Sequence, residues 1–289
     1  MKTHLNCIPC FFKQAISMAC QLGANYAKQR QVVNNLAKML PTISLDSSPP
    51  EIVKIIYDLV NRTLNNKYDG YEKIKDESNK LTLNIYEKLQ EKIFLSNDRL
   101  LTATELAIAG NIIDYGGARI FTNINDEMDK IMNQSINNKL IFNYDDFKSI
   151  LSTAKEVIYL ADNAGEVVFD RLLIEEIKYF NRNVEITYVV KEQPIINDAT
   201  KKDAIQCNIH KICKVMSSGS DVPGTPLNLC SKEFLDKFNK TDMVISKGQG
   251  NFETLFDSGY SIFFLLKIKC PFVAKEIDGN IGDSILFYN

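Results

Sequence analysis

The chain has 289 residues, 45% of them hydrophobic, enough to bury one sizeable core or two smaller ones, and at roughly 150 residues per domain two are expected. Its 34 basic and 36 acidic residues are spread along the chain and leave a net charge of −2, which argues against a nucleic-acid or membrane-surface binder. A small molecule is the expected partner.

The N-terminal segment MKTHLNCIPCFFKQAI has only a short apolar stretch before Lys13 and Gln14 and lacks a small-residue cleavage site, so no signal peptide is expected. No charge-free apolar window reaches membrane-spanning length, and the cytoplasm is the expected location. Seven cysteines, an odd number, do not read as a disulfide framework and suit a reducing compartment. Only Cys7 and Cys10 are closely spaced, and the chain has two histidines, His4 and His210, so a zinc site would have to recruit distant cysteines. The pair is read as small apolar residues packing a first helical turn, in preference to a metal-binding or low-pKa site.

Apolar residues then recur at three- and four-residue spacing in EIVKIIYDLVNRTL, YEKIKDESNKLTLNIYEKLQEKIF and RLLTATELAIAGNIID, interrupted by PTISLDSSPP with Pro49 and Pro50. Residues 1–153 are therefore expected to form an all-helical domain. In GNIID, the spacing places Asn111 and Asp114 on one helix face beyond Gly110.

Near residue 154 the character changes. Short β-branched and aromatic runs, EVIYLA, VEITYVV, KICKVM, DMVIS and SIFFLLKI, are mostly separated by helix-compatible segments of ten or more residues. That rhythm predicts a Rossmann-like α/β/α layered domain with a mainly parallel sheet over residues 154–289. In such sheets ligands bind beyond the carboxyl ends of the strands. Four strand ends run into DNAGE, KEQPIINDAT, SSGSDVPGT and SKGQGNFE, polar or glycine-bearing loops whose convergence on one site is the better reading.

Asp162 and Asp198 offer carboxylates and Asn163 a carbonyl oxygen, an all-oxygen set that suits Mg²⁺ or Mn²⁺ rather than zinc or copper. Lys247 is expected to supply a fixed positive charge, and Gly165, Gly248 and Gly250 to let backbone approach an anion. Together these describe a phosphate site. The competing reading makes Asp162, Asn163 and Asp198 helix caps. Glu166 is expected in the first turn of the following helix, where the dipole favours a carboxylate, and is counted with the substrate-binding residues. Asp221 is an option from the third loop that turn chemistry explains nearly as well.

DNAGE, NDAT, SKGQGNFE and GNIID, in this order of chemistry and with CIPC at the start and KCPFVAKEIDGNIGDSIL at the end, resemble the metal-dependent damage-control phosphatases, in particular their prokaryotic branch. The resemblance covers most of the chain. It implies that Asp162, Asn163 and Asp198 hold a divalent metal ion (Mg²⁺, Mn²⁺, Co²⁺ or Ni²⁺), with Asp162, Asp198 and Lys247 catalytic. It further implies that Lys247, Gly248 and Asn251 lie at the substrate phosphate, and that the helical half covers the crevice and brings Asn111 near the substrate. The Arg-Thr-x-Lys motif of the eukaryotic branch is absent, which separates this chain from that branch's sugar-phosphate substrates.

The function expected is divalent-metal-dependent hydrolysis of a small phosphorylated metabolite. Methyl transfer from S-adenosylmethionine, also proposed in this family, asks for a glycine-rich turn after the first strand, where ADNAGE has a single glycine. A non-catalytic metal- or phosphate-binding protein is the third reading.

Overall fold

The computed structural model describes residues 1–110 and 142–289. The N-terminal half is helical: α1 (Cys7–Gln21), α2 (Tyr26–Met39), α3 (Pro49–Leu64), α4 (Glu72–Leu83), α5 (Tyr86–Phe94), α6 (Arg99–Ala109) and α7 (Tyr144–Thr153). Helix starts follow local chemistry. Asn25 accepts from the Lys28 N–H at 3.1 Å and Asp98 from the Leu101 N–H at 3.0 Å. Ser48 and Glu51 form a capping box ahead of α3, whose first positions are Pro49 and Pro50, where a missing N–H leaves nothing unsatisfied. The proline pair that interrupts the helical pattern thus starts the next helix.

Strands and helices then alternate: β1 (Glu156–Leu160), α8 (Val167–Phe180), β2 (Glu185–Val190), α9 (Lys201–Gln206), β3 (Lys214–Ser217), α10 (Lys232–Phe238), β4 (Met243–Lys247), α11 (Gln249–Leu255), β5 (Phe263–Lys267), α12 (Pro271–Glu276) and β6 (Ser284–Tyr288). The six strands form one sheet in the order β3-β2-β1-β4-β5-β6. All neighbours pair parallel except β5 and β6, which pair antiparallel. This is the Rossmann-like α/β/α fold expected, with an antiparallel edge strand added by SILFY. The chain steps outward from β1 through β2 to β3, then returns to the other side of β1 for β4 and β5. The connections after β1 and β4 therefore lead to opposite sides, and the carboxyl ends of these two strands mark the switch point of the sheet.

Strand alternation builds two cores. Val157, Tyr159, Ile186, Tyr188 and Ile245 face α5, α6, α7 and α8, whereas Ile158, Leu160, Val189, Val244 and Phe264 face α10, α11 and α12. A third core, around Phe11, Leu36, Ile52, Ile56 and Val60, belongs to α1, α2 and α3. The change of character near residue 154 marks where strands begin, but packing runs across it. Leu89 and Ile93 of α5, Ala103 to Ile108 of α6 and Phe147 of α7 share the core of the sheet. The helical segment 1–153 thus contributes to two cores and does not pack as one body. No helix among the described residues is long and apolar enough to cross a membrane.

Gly110 ends α6 where that helix presses on α8. A Cβ there would lie 2.8 Å from ring atoms of Phe169, which is buried. Overpacking costs about 1–3 kcal/mol, more than the ~1 kcal/mol that alanine's helix propensity returns. Gly110→Ala is therefore expected to lower stability in urea unfolding; a variant at least as stable as wild type would contradict this close approach.

Candidate active site

The loops after β1 and β2 are zipped together by their backbones. Ala199 N–H donates to the Asp162 carbonyl at 2.8 Å and Ala164 N–H to the Asn197 carbonyl at 2.9 Å, and Asn163 and Asp198 form an isolated antiparallel bridge. This juxtaposition puts Asp162, Asn163 and Asp198 on one cavity wall. None of the three acts as a helix cap. Glu166 precedes α8 with no side-chain cap bond, and α9 is capped by a box between Thr200 and Asp203. The capping explanation for the three side chains is thereby removed.

The loop after β4 closes on the same point. Gly248 has φ 80°, and a Cβ on it would fall 1.8 Å from Oδ2 of Asp162. Only glycine leaves room for that carboxylate at the crevice. The anion cradle expected from the glycine N–H groups is not available at two positions. Gly165 donates to Oδ1 of Asn79 at 2.7 Å and Gly248 to the Leu265 carbonyl at 3.0 Å.

Lys247 and Glu166 are also placed differently from expectation. Met243, Ile245 and Lys247 alternate onto the α8 side of the sheet, so the Lys247 side chain points under α8, fully buried. Its Nζ lies 2.7 Å from Oδ1 of Asp170 and 3.2 Å from Oε2 of Glu166. Burial alone pulls an ammonium's pKa down, but Asp170 and Glu166 overcome it and hold Lys247 above the ordinary lysine value. Asp170 also accepts from the Tyr159 hydroxyl at 2.8 Å and the Tyr188 hydroxyl at 2.7 Å; burial, then that carboxylate, raises both phenols well above their usual pKa. Lys247 and Glu166 therefore belong to a buried network below the cavity. Neither lines it.

The network reaches the cavity through Asn163. Its Nδ2 donates to Oδ2 of Asp162 at 3.0 Å and to Oε1 of Glu166 at 3.0 Å. With both amide hydrogens engaged, the carbonyl oxygen is the Asn163 atom left for a ligand. Asn251 is likewise a tie. It donates to the carbonyls of Ala161 at 2.9 Å and Lys247 at 2.7 Å and accepts from Thr225 at 2.7 Å, which holds the β1, β4 and third loops together. Asn111 lies outside the described residues. Asp221 pairs with Lys54 of α3 at 3.2 Å, a contact between the helical cap and the third loop.

The cavity, about 620 Å³, is roofed by Phe11, Pro50 and Val53 of α1 and α3. Cys7, Cys10 and Cys270 also line it, and burial pushes the Cys7 thiol up. Glu253 shares this wall, its carboxyl pushed up to about 7 by burial against the opposing pull of Gln249. Three residues of the arrangement went unmarked in the sequence. Asp170 carries a signal, a carboxylate on the apolar face of VVFDRLL; Lys191 sits behind Asp198; Asn79 of α4 joins Gly165 to Asp203 and Gln206 over a long sequence separation.

The damage-control phosphatase ARMT1-like domain matches residues 3–285. The chain belongs to the ARMT1-like damage-control phosphatase family. It is 34% identical to a damage-control phosphatase of Pyrococcus horikoshii over 96% of this chain and 94% of the relative. It is 32% identical to an uncharacterized protein of Methanocaldococcus jannaschii over 99% of this chain and 95% of that one. The crystal structure of a DUF89 family protein from Pyrococcus horikoshii superposes with a TM-score of 0.88 at 32% identity, covering 100% of this chain and 99% of the other. The damage-control phosphatase fold thus includes both the helical cap and the sheet.

Removing the Lys247 charge leaves Asp170 and Glu166 buried without their cation, and breaking a buried pair in this way costs about 3–5 kcal/mol. Lys247→Ala is expected to lose that much in urea unfolding. A loss below about 1 kcal/mol would mean that the ammonium does not anchor the network.

Proposed function

We propose that this protein is a cytoplasmic, divalent-metal-dependent phosphatase that hydrolyses a small phosphorylated metabolite, a house-cleaning reaction. The observation that carries this reading is the meeting of Asp162, Asn163 and Asp198 on one wall of the cavity, in a chain of the damage-control phosphatase family. No group of three His, Cys, Asp or Glu side chains gathers for a metal among the described residues. The donor set is instead two carboxylates and an amide carbonyl, which fits a hard cation such as Mg²⁺, Mn²⁺, Co²⁺ or Ni²⁺. The space that a Cβ on Gly248 would fill beside Asp162 fits the same purpose. Such an ion, when bound, supplies Lewis-acid polarisation of a phosphoryl group and neutralises its charge.

The chain's own residues do the positioning. Glu166, held by Lys247, fixes the Asn163 amide, and Asn163 in turn holds one oxygen of Asp162. Preorganised groups of this kind need no rearrangement as charge moves in a transition state. Phe11, Pro50 and Val53 add apolar side chains from α1 and α3 to the cavity lining. Nothing in the loop after β1, with its one glycine, favours S-adenosylmethionine.

Hydrolysis of an aryl phosphate is expected only with added divalent cation, and Asp162→Ala and Asp198→Ala should abolish it while leaving cooperative thermal unfolding intact. Full turnover in excess EDTA would contradict the metal requirement. Glu166→Gln acts one bond further out, through Asn163. It is expected to weaken Mn²⁺ binding by about 10- to 100-fold, measured by calorimetry; wild-type affinity would show that the Asn163 amide needs no such support.

A further inference from the structure

We propose that Lys191, rather than Lys247, is the positive charge that draws an anion into the cavity, and that it does so once a divalent cation has taken up the charge of Asp198. The inference rests on the metal-phosphate reading of the site and adds the source of its anion affinity.

Lys191 follows β2 directly. Its backbone N–H donates to the Ala199 carbonyl at 3.0 Å and it bridges to Thr200, so the residue is locked beside Asp198. The side chain is 5% exposed. Its Nζ donates to the carbonyl of Gly224 and lies 3.8 Å from Oδ2 of Asp198, beyond hydrogen-bond reach. Gly224 and Asp198 both line the cavity. The ammonium therefore sits one layer behind the cavity wall, between two groups that form it.

The two buried lysines differ in how their charge is balanced. Lys247 has two carboxylates, at 2.7 and 3.2 Å, and neither Asp170 nor Glu166 lines the cavity. Lys191 has one carboxylate within ion-pair distance among the described residues, Asp198, and that carboxylate is also a candidate metal ligand. A divalent cation on Asp198 leaves the ammonium with a neutral carbonyl as its close partner. A buried charge without a counter-charge is unfavourable, and a phosphoryl dianion in the cavity restores the balance. As a like charge Lys191 repels the dication, so it opposes metal binding and favours anion binding. A merely structural lysine would support both or neither. It acts across the wall and through Asp198, as a positioning residue.

Calorimetry on the full chain separates these roles. Mn²⁺ is titrated first, then orthophosphate into the Mn²⁺-saturated protein, for wild type, Lys191→Gln and Lys191→Arg. Glutamine keeps a donor for the Gly224 carbonyl and removes the charge; arginine keeps the charge. Lys191→Gln is expected to bind Mn²⁺ at least as tightly as wild type and orthophosphate roughly ten- to a hundred-fold more weakly, with Lys191→Arg recovering most of the phosphate affinity. Wild type is expected to bind orthophosphate only after Mn²⁺, a result that holds the proposal to account even where Lys191→Gln does not fold. Wild-type phosphate affinity in Lys191→Gln, with Mn²⁺ bound normally, would overturn the role of Lys191 and leave the metal-phosphate reading standing. Parallel loss of both ligands with a lowered Tm, or equal phosphate affinity with and without Mn²⁺, would also overturn it. Failure of wild type to bind Mn²⁺ would overturn the metal reading and this proposal together.

Discussion

The backbone zip between the loops after β1 and β2 is the constraint on which the rest of the site depends. Two backbone hydrogen bonds, Ala199 to Asp162 and Ala164 to Asn197, together make the bridge between Asn163 and Asp198 and bring together residues that a parallel sheet would otherwise leave only at neighbouring strand ends. The loops after β1 and β2 lie on one side of the switch point and are tied there. From across it the β4 loop approaches so closely that position 248 has no room for a side chain. Peptide groups, not side chains, hold the two loops together at this point.

Beneath this wall lies a second level of organisation with its own electrostatics. Tyr159, Tyr188, Asp170, Lys247 and Glu166 bond one another in the core of the sheet and connect upward through Asn163. A buried network of this kind is favourable when every member is paired and expensive when one is not. It therefore makes one orientation of Asn163 much better than any other, which is what a ligand-holding amide requires. Lys191 belongs to neither level fully. It stands beside Asp198 with a partner that a bound cation would take over.

Much of this was legible in the sequence for definite reasons. Period-two and three-to-four-residue patterns separate strands from helices, and the rule that ligands gather at strand carboxyl ends picks out DNAGE and NDAT. The polar loops therefore point to the crevice without any contact being known. The direction of individual side chains was less visible. Lys247 reads as a loop cation because it adjoins two glycines, yet Met243 and Ile245 before it give the alternation that turns it into the core. Glu166 and Asn251 are hidden for another reason: their partners, Lys247, Ala161 and Thr225, are distant in sequence and meet them only through tertiary packing. The same holds for Asn79, whose side chain ties the helical cap to the first loop. The edge strand SILFY is short and follows glycine-rich turns, and its antiparallel pairing with β5 is a tertiary choice.

The central claim is that Asp162, Asn163 and Asp198 form the seat of a hard divalent cation. Anomalous diffraction from crystals soaked in Mn²⁺ tests it most directly. The account predicts one strong anomalous peak within coordinating distance of a carboxylate oxygen of Asp162, the carbonyl oxygen of Asn163 and a carboxylate oxygen of Asp198. A fully occupied Mn²⁺ bound elsewhere, with these three side chains unchanged and no peak between them, would contradict it.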